Sequence, residues 1–148
     1  MAAGFGVFAI WMALDRGGVT HPARWPTVLL NAPRWLSTLW IVVRVIGATV
    51  TVPAAEEIAF RGYLLRRLSD ADFEAVCWRK FAWMPLIVSS AAFGLLHSER
   101  WVAGSLAGVV YALAMQRRGR IGDAVGAHAL TNALIAILVL VRGDWQLW

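Results

Sequence analysis

The chain alternates between long apolar runs and short connections rich in basic residues. Four apolar runs carry almost no charged side chains, at residues 36–52, 81–96, 101–115 and 124–141. A helix needs roughly 17–25 apolar residues to cross the hydrocarbon core of a bilayer, so the shorter runs require tilt or local thinning. The pattern predicts an all-α, polytopic integral membrane bundle with about four to five membrane helices.

Composition supports the membrane assignment. Hydrophobic residues make up 59% of the chain, against roughly 45–50% in soluble globular domains. A chain of 148 residues cannot bury four helices that are apolar on every face. We predict a single membrane domain over residues 1–148, with a poorly defined N-terminal part at 1–35 and a motif-bearing core at 36–141. Residues 1–14 are apolar but too short to span, and are either a short first helix or what remains of a longer segment. The prolines within residues 20–33 predict an irregular connection.

The net charge of +5 does not indicate a nucleic-acid partner, because the basic residues flank the apolar runs. They cluster in two connections, at residues 61–80 and 117–120. If the runs alternate across the bilayer, both connections lie on one side, which the positive-inside rule assigns to the cytoplasm. Tryptophans near the ends of the runs are typical of an interfacial aromatic belt. We therefore expect membrane lipids as partners and location in the plasma (bacterial inner) membrane.

Several ionisable residues lie in or beside apolar helix, where a charge costs at least about 2.5–3.5 kcal/mol near the bilayer centre and therefore indicates function. Glu57 and Arg61 are four residues apart with the acid first, which predicts an ion pair. Glu56 points roughly 100° away around the helix and has no local partner, so it is the better candidate for a reactive acid. Arg44 is interpreted as a structural snorkelling or pairing residue. Pro53 predicts a kink or a new first helical turn.

Two histidines complete the polar set. His128 and Asn132 share one helix face, which suits either an oxyanion site or a hydrogen bond between helices. His97 follows Phe93 by four residues, which places the phenyl ring beneath the imidazole. Asp123 is the predicted N-cap of the last helix.

Three motifs in order resemble the CPBP family, which comprises CAAX prenyl endopeptidases and bacteriocin-processing or Abi-type enzymes. They are EEIAFR at residues 56–61, FGLLH at 93–97 and HALTN at 128–132. The resemblance runs from about residue 51 to residue 141, and each motif lies on a separate predicted helix. Residues 101–128 also resemble the CAAX-related proteins found with exosortase sorting systems.

The resemblance implies an intramembrane endopeptidase that cuts C-terminal CAAX-like peptides, with or without a prenyl group, or other membrane-anchored peptides. By similarity, Glu56 activates water, His97 holds that water, and His128 with Asn132 stabilises the oxyanion. The full set of implied site residues is Glu56, His97, His128 and Asn132, supported by Glu57, Arg61 and Phe93.

Cofactor use is open at the level of sequence. A metal-free, glutamic mechanism is preferred because nothing resembling HExxH is present. The alternative is a Zn²⁺ site with Glu56, His97 and His128 as ligands, which are the residue types of a catalytic zinc centre.

Other functions make different demands on the same residues. A non-catalytic chaperone or immunity-type scaffold could keep the polar cluster for structural reasons, and a transporter could use Glu56 and His128 as a proton relay. Other intramembrane proteases fit less well. Ser105 lacks the second glycine of a GxSG turn, Asp123 has no GxGD context, and Cys77 lies in a charged connection.

Overall fold

The computed structural model describes residues 1–15 and 31–147, and these ranges are almost entirely helical. Residues 20–30 of the proline-containing connection, expected to be irregular, lie outside the described residues. Helices longer than ten residues within the described ranges are α1 (Ala2–Asp15), α2 (Arg34–Ser69), α3 (Trp83–Leu95), α4 (Trp101–Arg118) and α5 (Ile121–Arg142). Short 3₁₀ turns occur at Phe73–Ala75, Ser98–Arg100 and Trp145–Leu147. The all-α prediction is confirmed.

The outer surface of the bundle is apolar, as a membrane protein requires. Within the described residues, α2 (36 residues) and α5 (22 residues) are long and apolar enough to cross a bilayer. The first half of α2 contains no buried residue, yet it exposes Leu39, Val43 and Ile46. A continuous apolar surface of this kind is unfavourable in water and natural in lipid. The sequence-based assignment to an all-α membrane bundle therefore holds.

The two basic connections meet at one end of the bundle. The Arg79 guanidinium donates to the carbonyl oxygen of Arg118 at 3.2 Å, and the Gln116 amide donates to the carbonyl oxygen of Lys80 at 3.0 Å. Arg100, which precedes α4 at its other end, forms a 2.6 Å ion pair with Asp15 at the end of α1. The alternation of connections between two ends, predicted from the apolar runs, is therefore present in the fold.

Small residues let the helices approach closely, as is common where membrane helices pack. A Cβ atom at Gly94 of α3 would lie 2.5 Å from the carbonyl oxygen of Trp101 and 2.7 Å from the backbone nitrogen of Ser105. A Cβ atom at Gly4 of α1 would lie 2.6 Å from the carbonyl oxygen of Ala127. Glycine at these two positions brings α3 against α4 and α1 against α5.

Helix α2 continues through Pro53 because two wider, π-helical segments interrupt its α-helical geometry, at Gly47–Thr51 and Ile58–Leu64. The α-helical geometry resumes at Val52, so Pro53 stands in a new first turn, as predicted, without ending the helix. Pi-helical segments are frequent at functional sites, and here the pair Glu56–Glu57 lies between two of them.

The predicted N-cap of the last helix is wrong. Helix α4 ends at Arg118, and its C-cap is Gly119, whose positive φ of 71° suits glycine. Helix α5 begins at Ile121, with Arg120 in the N-cap position. Asp123 therefore lies inside the first turn of α5, where its carboxylate is 3.4 Å from the Arg118 guanidinium. The acid still lies near the positive end of the helix dipole, which is the favourable end for it.

Candidate active site

A cavity of about 150 Å³ lies inside the bundle and is lined by residues from all five helices. Its polar lining residues include Glu56, His97, His128 and Asn132. The structure thus brings together all four residues that the motifs indicate, although they are spread over 76 positions of sequence. A cavity of this size with four polar side chains in a largely apolar wall has room for several water molecules.

Glu56 presents a carboxylate to this cavity. Its side chain is 25% exposed, and its Oε2 atom lies 3.9 Å from His128 Nε2. That oxygen is buried and has no hydrogen-bond partner among the described residues. Glu56 therefore differs from the ion-paired Glu57, as predicted from the different directions of the two side chains around the helix.

Glu57 and Arg61 form the predicted ion pair and are both fully buried. Arg61 Nε lies 3.1 Å from Glu57 Oε2. The other carboxylate oxygen, Oε1, accepts a 3.0 Å hydrogen bond from His128 Nδ1. Arg61 also donates to the carbonyl oxygen of Gly108 at 2.9 Å and lies 4.2 Å above the Phe93 ring centroid. A buried ion pair is favourable only when such additional contacts complete it.

The His128 ring is held in one orientation from two sides. Because a carboxylate only accepts, Nδ1 carries the proton that is donated to Glu57, and Nε2 faces Glu56. Tyr111 stacks on the imidazole with ring centroids 4.8 Å apart and planes 15° apart. The Tyr111 hydroxyl is in turn hydrogen-bonded to Thr131. Sequence reasoning did not find Tyr111 or Thr131, although each is a hydroxyl within an apolar run.

His97 reaches the cavity because α3 is short. Its 13 residues rise about 20 Å, about two thirds of a hydrocarbon core of roughly 30 Å, so the helix ends beside the cavity rather than crossing a bilayer by itself. His97 Nδ1 lies 3.0 Å from the carbonyl oxygen of Phe93, which can only accept. In the tautomer that donates from Nδ1, Nε2 is an acceptor. The Phe93 ring packs against the imidazole with centroids 4.9 Å apart, as predicted.

Asn132 makes the hydrogen bond between helices that the sequence left as one alternative. Its Nδ2 atom donates to the carbonyl oxygen of Ala48 at 2.8 Å. In the π-helical segment, Val52 N–H donates to Gly47, five residues back. In the same register, the carbonyl of Ala48 would need an N–H from Pro53, which has none. One Asn132 N–H donates to this carbonyl in place of the missing backbone N–H. The Asn132 amide has a second N–H to donate.

Helix α1 contributes Trp11, which sequence reasoning missed. The indole packs edge-on against His97, with ring centroids 5.4 Å apart and planes at 75°. Thr131 Oγ1 lies 3.0 Å from the carbonyl oxygen of Gly4 and secures α1 to α5. The short helix Ala2–Asp15 is therefore part of the cavity wall. No local signal distinguishes Trp11 from the interfacial tryptophans elsewhere in the chain.

The zinc alternative concerns the same three side chains. Among the described residues, no group of three or more His, Cys, Asp or Glu side chains lies close enough together to hold a metal ion. The nearest atoms of Glu56 and His128 are 3.9 Å apart, and Nδ1 of each histidine is engaged, in His97 with the Phe93 carbonyl and in His128 with Glu57. A histidine that binds zinc through Nε2 commonly has Nδ1 engaged in this way, so Glu56, His97 and His128 are the residues that would hold the ion in the metal-dependent alternative.

Comparison with known proteins agrees with the geometry. The family model for type II CAAX prenyl endopeptidases, Rce1-like, matches residues 38–134. That segment contains every motif residue of the cavity and covers well over half of the chain, but it leaves out α1. No curated protein matches the chain, and no solved structure matches it either. The chain belongs to the Rce1-like family of type II CAAX prenyl endopeptidases, which are membrane proteases.

Proposed function

We propose that this protein is an intramembrane endopeptidase that cleaves C-terminal CAAX-like peptides, with or without a prenyl group, or other membrane-anchored peptides. Water activated by Glu56 is the nucleophile. The observation that carries the proposal is the Glu56 carboxylate, whose buried Oε2 has no hydrogen-bond partner among the described residues and which faces a cavity that also holds His97 and His128. Carboxylates act as general bases when they are placed in this way beside the reacting group.

The attack begins with a water molecule between Glu56 and His97. Glu56 accepts one proton as the water oxygen bonds to the carbonyl carbon of the substrate. His97 Nε2 accepts a hydrogen bond from the second O–H of that water, because Nδ1 is committed to the carbonyl of Phe93. Two acceptors orient the water, and a proton moves to only one of them.

The carbonyl oxygen becomes negative during the attack and needs donors. His128 Nε2–H and the second N–H of Asn132 supply them, while the other polar hydrogens of both side chains are held by Glu57 and Ala48. His128 then carries protons on both ring nitrogens. Before the attack, the charges of Glu56, Glu57, Arg61 and His128 cancel. They still cancel after Glu56 takes its proton, because the oxyanion then carries the negative charge, and a low-dielectric interior favours such a neutral group. Glu56 finally passes its proton to the departing amine nitrogen as the C–N bond breaks.

The proposed enzyme needs no cofactor, since Glu56 carries out the proton transfers, His97 orients the water, and His128 and Asn132 donate to the oxyanion. The apolar surface of the bundle supports lipid-anchored or membrane-bound substrates. The cluster of basic residues at one end supports an orientation with that end in the cytoplasm, in the plasma (bacterial inner) membrane.

The test is cleavage of a panel of membrane-anchored and prenylated peptides by the purified protein, with and without a chelator. The variants are Glu56→Gln and, as a matched control, Glu74→Gln at an exposed acid outside the cavity. We expect wild-type cleavage that survives chelation, at least about a thousandfold loss in Glu56→Gln, and no loss in Glu74→Gln.

Three outcomes would contradict the proposal. Turnover retained by Glu56→Gln would exclude the glutamic base. Activity lost with chelator and restored by zinc would establish the metal-dependent alternative. Peptide binding without cleavage by the wild type would favour the non-catalytic scaffold.

A further inference from the structure

We propose that Trp11 contacts the substrate, and that its indole N–H donates a hydrogen bond to a backbone carbonyl oxygen of the bound peptide. This inference rests on the proposed peptidase function and deepens it. It assigns a binding role to α1, a helix that lies outside the segment matched by the family, residues 38–134.

The first observation is an unused donor. Trp11 lines the cavity beside Glu56 and His97, and its Nε1 atom is buried with no hydrogen-bond partner in the described parts of the chain. An indole nitrogen can only donate. A buried donor without an acceptor is unfavourable, so a molecule that enters the cavity and presents an oxygen there is stabilised. Every residue of a peptide offers such an oxygen.

The second observation is that this donor is held rigidly. The indole packs edge-on against the His97 imidazole, with ring centroids 5.4 Å apart. Further along α1, Val7 is fully buried, and Asp15 forms a 2.6 Å ion pair with Arg100, just after the His97 turn. A donor fixed before the substrate arrives loses little entropy on binding, which is the condition for a useful contribution to affinity.

The indole also lies beside the side chain proposed to hold the water nucleophile. A peptide whose scissile carbonyl carbon faces Glu56 places neighbouring backbone carbonyls within the same cavity. Trp11 can therefore bind a carbonyl adjacent to the scissile bond and help to align the peptide against the water on His97. In this role it acts on substrate binding and alignment, and takes no part in proton transfer.

The first experiment removes only the donor. Trp11→Phe keeps an aromatic ring against His97, and benzothienylalanine incorporated at position 11 keeps the bicyclic shape with sulfur in place of N–H. Trp83→Phe, at a tryptophan that is 69% exposed, is the matched control. On a peptide that the wild type cleaves, we expect kcat/KM to fall about tenfold for both changes at position 11, with unchanged melting temperature. The control should cleave normally.

The second experiment observes the donor directly. The indole ¹⁵N–¹H resonance of Trp11 is assigned in the Glu56→Gln protein by its absence after Trp11→Phe. Adding the peptide should move this resonance, because the N–H gains an acceptor. In a peptide series with one backbone carbonyl at a time replaced by methylene, a single member should bind about tenfold more weakly and leave the resonance unmoved.

The outcomes separate this inference from the function on which it rests. If the wild type cleaves and both position-11 changes cleave equally well, the Trp11 contact is refuted and the peptidase stands. If Trp11→Phe loses activity but the benzothienyl protein keeps it, ring shape rather than the donor matters, and the inference is wrong. If the wild type cleaves no peptide, the proposed function fails and this inference fails with it.

Discussion

The pairing of Asn132 with the carbonyl of Ala48 leads to a prediction about stability that needs no substrate. The carbonyl lacks a backbone donor because residue 53 is proline, and the 2.8 Å bond from Asn132 replaces that donor. Asn132→Ala should therefore destabilise the protein. Pro53→Ala should remove most of this penalty, because an N–H at position 53 can reach Ala48 in the π-helical register. In an α-helical register, Val52 would supply the donor instead.

The magnitude follows from the nature of the bond. Hydrogen bonds between membrane helices contribute about 0.6 kcal/mol on average and up to about 1.7 kcal/mol. Leaving a buried carbonyl unpaired costs about 1–3 kcal/mol. Since Ala48 is only partly buried, we expect Asn132→Ala to lower the free energy of unfolding by about 1–2 kcal/mol. In the Pro53→Ala background we expect Asn132→Ala to lower the free energy of unfolding by at most about 0.5 kcal/mol. The difference between the two backgrounds is a coupling energy of about 1 kcal/mol between positions 53 and 132.

The assay is equilibrium unfolding of the four proteins of this cycle in mixed detergent–SDS micelles. Pro85→Ala, at a buried proline in the first turn of α3, provides the control cycle, and its effect should simply add to that of Asn132→Ala. Full additivity in the Pro53 cycle as well would refute the assignment of the Asn132 bond to the missing proline donor.

The same four proteins also separate the two roles of Asn132. Removing an oxyanion donor typically lowers kcat by about a hundredfold to a thousandfold. If the second N–H serves the oxyanion, the double variant should regain stability and stay inactive. Recovery of both stability and activity would mean that Asn132 acts only as a structural hydrogen-bond donor.

Three further changes test the buried network and the packing by the same unfolding assay. Glu57→Gln removes the counter-ion of a fully buried Arg61 and should cost about 3–5 kcal/mol. Glu56 is partly exposed, lies 3.9 Å from His128, and accepts no hydrogen bond at its buried oxygen from the described residues, so Glu56→Gln should cost less than about 1 kcal/mol. Equal losses would contradict the division of roles between the two acids. Tyr111→Phe keeps the stacked ring but loses a hydrogen bond, so stability should fall by about 0.5–1.5 kcal/mol, and an unchanged value would mean that the hydroxyl is not engaged. The added methyl group of Gly94→Ala would clash with backbone atoms of α4 and should lower the free energy of unfolding by about 1–3 kcal/mol. Gly126→Ala has open space at its Cβ position, so it should be neutral or stabilising by up to about 1 kcal/mol.

Interactions between residues close in sequence could be predicted, because helix geometry alone sets them. Glu57 and Arg61 form the expected pair, and Phe93 lies against His97, since residues four apart share a helix face. The all-α membrane architecture follows as directly from the length of the apolar runs. The prediction that Asp123 caps the last helix was wrong because the turn before α5 is shorter than the composition suggests, and helix boundaries depend on such turns.

Contacts between helices that are distant in sequence were decided by the tertiary structure alone. Glu57 contacts His128 across 71 positions, Asn132 reaches Ala48 across 84, and Trp11 closes the cavity from a helix that carries no motif. In a membrane, the lipid-facing and the buried faces of a helix are both apolar, so periodicity does not show which face is inside. The π-helical segments of α2 further change which way its later side chains point, and the short α3 brings His97 to the cavity. The sequence by itself therefore determined the chemistry available to this protein, and packing determined which of those groups share one cavity.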